Sequence, residues 1–131
     1  MRRIFLRAIT VLLVWGTVAL APVMAPAIAQ DTVAFVSTIE DLPLMPGLVE
    51  EAGGMVFDSP GGRIVEAFAT GEVSQGAVRA FYGDTLPQLG WQPLGVGVYQ
   101  REREILKVEF PGGPGAAPPL TVGFSLSPVP E

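Results

Sequence analysis

The sequence predicts an α+β fold: a single antiparallel sheet of about five strands, in the order β-β-α-β-β-β, with one helix packed on one face. Three observations predict it. Ser74–Trp91, SQGAVRAFYGDTLPQLGW, is the one long helix-periodic stretch after residue 30; short stretches with period two stand on both sides of it; and turn residues separate those stretches. Consecutive strands joined by short loops pair antiparallel, and a single helix covers one face only.

In the helix, Ala77, Val78, Phe81, Tyr82, Leu86 and Leu89 fall on one side, with Gln75, Arg79, Asp84 and Gln88 on the other. Ser74 is the expected N-cap, its oxygen accepting from a first-turn amide, and Glu72 just outside favours the positive helix end. Gly90 is the expected stop. Pro87 cannot donate to a carbonyl four residues back, so either a kink forms there, or the helix ends at Gly83 and Asp84 and Thr85 caps a second short turn. Trp91 then drops its ring against the core or its rim.

Before the helix, Met55–Asp58 and Arg63–Thr70 read as a hairpin around Ser59-Pro60-Gly61-Gly62. Val65, Ala67 and Ala69 form one face of the returning strand; Ile64, Glu66 and Phe68 form the other. After the helix, Gln92–Gln100 is a glycine-weakened strand, Arg101–Arg103 a charged turn, and Glu104–Phe110 a strand with Leu106, Val108 and Phe110 on one side and Ile105, Lys107 and Glu109 on the other. Pro111–Pro119, PGGPGAAPP, is expected to be a mobile loop. Leu120–Leu126 has the cleanest alternation in the chain. The resulting organisation is a leader over 1–29, an extended proline-containing arm over 30–54, the α+β domain over 55–126, and a frayed tail over 127–131.

The leader has the order of an export signal: Arg2, Arg3 and Arg7, then apolar Ile9–Leu20, then Ala27-Ile28-Ala29 with small residues where a signal peptidase cuts. Cleavage after Ala29 is expected, giving a periplasmic or secreted protein. The alternative is an uncleaved single-pass anchor in the inner membrane, since Ala8–Gln30 is uncharged and approaches the length of a span; Pro22 and Pro26 argue against it. Arg2-Arg3-Ile4-Phe5-Leu6-Arg7 also resembles the twin-arginine consensus, so both export routes stay open. A lipid anchor would need a cysteine at the mature N-terminus, and the chain has none.

Charge and composition exclude several functions. With the leader removed, five basic residues remain against thirteen acidic ones, a net charge of −8. Phosphate backbones require a basic face, so nucleic acid is not an expected partner. Histidine is absent, which removes the commonest general base and transition-metal ligand together. Lys107 is the only lysine and has no serine motif beside it, so a Ser-Lys dyad is not supported. Glu40-Asp41, Glu50-Glu51 and Glu102/Glu104 lack the alternating oxygen spacing of a calcium loop. Gly53-Gly54, Gly61-Gly62 and Gly112-Gly113 lack the helix that a phosphate cradle needs. Arg101-Glu102-Arg103-Glu104 suits a solvated turn that blunts a sheet edge. No metal, cofactor or catalytic residue is therefore expected, and the chain reads as a non-enzyme.

The run from Val73 to Trp91, with Phe81-Tyr82, Thr85-Leu86-Pro87 and Leu89-Gly90-Trp91, resembles a pattern of uncharacterised small bacterial exported proteins and lipoproteins. Those proteins share a strand hairpin, a helix carrying Phe-Tyr and Leu-Pro, then Gly-Trp and further strands. Asp41–Leu48 and the Phe57–Glu66 hairpin look similar too, so the resemblance spans most of Asp41–Phe110. It implies the fold and an envelope location, and it brings no catalytic residues with it.

One helix leaves one sheet face uncovered, and that face carries Ile64, Phe68 and Ile105. The arm adds Leu44 and Met45, either docked on the domain or offered to a partner's groove. These five residues are the expected interaction surface, for an envelope protein or for a second copy of the chain. Two rivals stay open: the arm folds over the bare face within one chain, or the domain carries a small ligand in a cavity between helix and sheet.

Overall fold

In a computed structural model, residues 25–27 and 32–131 are described. The expected leader, 1–29, lies outside the described residues except for 25–27. No described helix is long and apolar enough to cross a membrane.

The architecture is α+β, with one antiparallel sheet and one helix. In chain order the elements are β1 (Leu48–Ser59), β2 (Gly62–Gly71), α1 (Gln75–Gln88), β3 (Gln92–Gly95), β4 (Val98–Arg101), β5 (Glu104–Glu109) and β6 (Leu120–Pro128). Their order across the sheet is β1-β2-β6-β5-β4-β3. Every neighbouring pair is antiparallel.

The sheet has six strands rather than about five because Gln92–Gln100 folds back on itself. Gly97 adopts φ 70° there, and a Cβ on it would lie 2.7 Å from the Val108 carbonyl oxygen, so the tight turn needs glycine. β6 also runs two residues past Leu126, and the Val129 amide donates to the Arg103 carbonyl at 2.8 Å. The expected frayed tail is thus partly in the sheet.

α1 starts as its residues dictate: the Ser74 hydroxyl accepts from the Ala77 amide at 3.1 Å. The helix continues through Gly83 and Asp84, and Pro87 falls in its last turn. Gly90, at φ 88°, stops it in a Schellman arrangement, in which Gly90 N–H donates to the Pro87 carbonyl and Trp91 N–H to that of Leu86. The buried stripe is narrower than the periodicity suggests. Val78, Tyr82 and Leu86 are buried, Phe81 is half-buried, and Ala77 and Leu89 are exposed, because four-residue steps alone face the sheet.

That stripe packs on Val65, Ala67 and Ala69 of β2, Leu106 and Val108 of β5, and Leu120, Val122, Phe124 and Leu126 of β6. Tyr82 meets Phe124 edge to face, with ring centres 5.4 Å apart. The remainder of this layer comes from the segment before β1. Instead of an extended arm it is a closed loop: Val36 N–H donates to the Leu42 carbonyl at 2.9 Å and Leu44 N–H to that of Ala34 at 2.7 Å. Closure turns Val36, Ile39, Leu42 and Leu44 inward, into the same core as Tyr82. The sheet claims the segment's end, since β1 begins at Leu48.

Pro111–Pro119 is tied down as well. The Gln75 side-chain amide donates to the Gly113 carbonyl at 2.7 Å, and Ala116 packs against the core. The loop expected to be mobile thus has an apolar anchor in Ala116 and a polar one from the helix, distant in sequence.

Candidate functional site

Alternation along the strands sends every second residue away from α1, and strand register then sorts those residues into rows. Phe57 of β1 is opposite Ile64 of β2, and Ile105 of β5 is opposite Ser127 of β6. Because Val65 pairs with Leu126, the same register sets Ile64 beside Ser127. Phe57, Ile64, Ser127 and Ile105 therefore lie in one row across four strands. The next row is Met55, Glu66, Ser125 and Lys107, and a further one holds Glu51, Phe68, Gly123 and Glu109.

Exposure concentrates at the β1–β2 end of this face. Phe57 is 54% exposed, Met55 46% and Ile64 37%. On the reverse side of the same hairpin Val56 is also exposed, since α1 does not reach so far. β1 is an edge strand, so the outer backbone donors and acceptors of its 12 residues have no strand partner among the described residues.

The expected surface residues separate into three groups. Ile64 and Ile105 share the apolar row, with Ile105 half-buried. Phe68 shares the face but stands two rows away. A Cβ on Gly123 of the neighbouring strand would lie 3.5 Å from its ring, so the ring stands over that glycine and Phe68 is half-buried. Leu44 is buried and Met45 half-buried against the core on the helix side, so neither joins this surface. Met45 instead donates its amide to the Tyr82 hydroxyl at 3.2 Å.

Met55 and Phe57 are the residues that the sequence reasoning left out. Their period-two spacing on one face of the first hairpin strand was the available signal. Titratable chemistry does not gather on this face: Lys107, Glu66, Glu51 and Glu109 are spread over two rows. The one ion pair among the described residues, Arg63 to Glu104 at 3.1 Å, lies on the helix side. No group of three or more potential metal-ligating side chains occurs among the described residues.

Set against known proteins, the chain matches no protein-family model, no curated protein and no solved structure.

Proposed function

We propose that this chain is a non-catalytic protein-interaction module of the bacterial envelope, and that a second copy of itself is the simplest occupant of its bare sheet face. The observation that carries the reading is the exposed apolar cluster of Phe57, Ile64 and Met55, on the face opposite α1 and beside an open sheet edge. Twofold pairing needs only one surface, because the same patch serves both partners. Export follows from the basic, apolar and small-residue order of the leader, with the periplasm or the exterior as destination. The resemblance of Asp41–Phe110 to exported proteins supports the same address. A chain without histidine or cysteine has few routes to general-base or thiol chemistry, which supports a binding role.

Sedimentation velocity of the purified protein over a concentration series tests this. The wild type is expected to dimerise and Phe57→Glu to sediment as a folded monomer. A wild type that stays monomeric up to its solubility limit would exclude self-association. A photo-crosslinking residue placed at Phe57 that then captured no other envelope protein would remove the interaction reading altogether.

A further inference from the structure

On the helix side of the sheet, away from the hairpin, α1 and the β3–β4 turn leave an open groove. Its inner cavity, about 200 Å³, is lined by Arg79, Tyr82, Val96, Tyr99 and Val108. An outer cavity of about 560 Å³ shares Arg79, Val96 and Val108 with it and continues along Phe110, Pro111 and Pro114. The shared residues make the two cavities one groove, of the size that small-molecule sites take.

Hydrogen bonds fix its walls before any ligand arrives. Val108 N–H donates to the Gly97 carbonyl at 2.8 Å, which holds the β3–β4 turn with Val96 at its tip. The Gln75 amide holds the opposite loop through Gly113. Arg79 stands where the two cavities join. Its guanidinium lies 4.9 Å from the centre of the Phe110 ring and forms no ion pair among the described residues. Glu109 lines only the outer cavity.

We infer that this groove binds a small amphipathic monoanion, a carboxylate on an apolar body, with the carboxylate on Arg79 and the body along Val96, Tyr99 and Val108. Charge complementarity selects the head group: an unpaired guanidinium presents a planar fork of donors that matches a carboxylate. The inner cavity receives the body because Val96, Tyr99 and Val108 line it. Val96 is 81% exposed at the turn tip, an apolar side chain that an inserted hydrocarbon would cover. Burial raises the pKa of Tyr99 and the positive charge of Arg79 partly offsets the rise, which agrees with the guanidinium standing near the inner cavity that both residues line. This site is independent of the bare sheet face.

An NMR titration of the purified protein with decanoate, and separately with decanol, tests the inference. Decanoate should give saturable shifts centred on Val96, Gly97, Val108 and the Arg79 side chain. Decanol should bind about tenfold more weakly or worse, the loss expected when one charge-assisted hydrogen bond is missing. Arg79→Gln should weaken decanoate to the level of decanol, and Arg79→Lys should restore part of the difference, with free-protein shifts changed only near residue 79 in both variants. Equal binding of the two probes, shifts centred on Phe57 and Ile64, or no saturable shifts would each overturn the assignment.

Discussion

The Tyr82 hydroxyl donates a hydrogen bond to the Pro43 carbonyl at 2.9 Å, which joins the helix to a loop 39 residues earlier. The same oxygen accepts from the Met45 amide, so a single buried atom satisfies two backbone groups of the loop. Burial pushes the Tyr82 pKa up to about 12, with the Met45 amide partly offsetting the rise.

Tyr82→Phe should therefore lower stability by about 1 to 3 kcal/mol, since it leaves buried backbone groups without a partner. The sign of the pH effect follows from the raised pKa. Stability from the protonated hydroxyl is fully present below pH 10 and is lost as pH rises from about 10 through about 12. Urea melts at stepped alkaline pH should show this loss in the wild type, with that component absent from Tyr82→Phe.

Phe68 and Phe57 face the same way with different duties. Phe68→Ala should cost about 1 to 2 kcal/mol, below the range for a fully buried ring, because Phe68 is only half-buried, its ring lying over the Cα of Gly123. Phe57→Ser should change monomer stability by no more than about 0.5 kcal/mol. Equal costs in chemical denaturation would show that the hairpin end is not free surface.

Within the helix, Leu86→Ala should cost about 2 to 5 kcal/mol and Phe81→Ala clearly less, since Leu86 is fully buried and Phe81 only half so. Thermal unfolding of the two variants gives the order. The reverse order would mean that α1 is rotated about its axis.

Glu102 occupies the β4–β5 turn at φ 53°, a left-handed conformation that a side chain with a Cβ resists. Glu102→Gly should stabilise the protein by roughly 0.5 to 1 kcal/mol, read as a rise in melting temperature. A fall would mean that the carboxylate takes part in something beyond the turn.

Local chemistry explains which elements were legible in the sequence. Ser74 and Gly90 mark the helix by their own capping bonds, and Leu120–Leu126 alternates over a full strand, so both were readable without the partner elements. β3 and β4 have four residues each, too few for a period to show beside three nearby glycines and prolines. Val36, Ile39 and Leu42 follow no period because a closed loop buries them, and its fastening to Tyr82 is distant in sequence. Phe57 looked like one residue of a short strand; its exposure depends on β1 lying at the sheet's edge, which the whole strand order decides. Arg79 looked like solvent-facing helix polarity, and the groove around it exists only once the β3–β4 turn is in place.

The strand that comes last among those described is a central one. β6 sits between β2 and β5 with Leu120, Val122, Phe124 and Leu126 buried, so the two flanking groups of strands have no common neighbour apart from it. Without β6 the sheet divides into β1–β2 on one side and β3–β4–β5 on the other, so one strand unites it. A chain ending at Pro119 would hold a β1–β2 hairpin and a β3–β4–β5 meander, each too small to stand alone in water, and should be digested throughout by a protease that spares the full chain. Loss of that one strand thus undoes both halves of the sheet together.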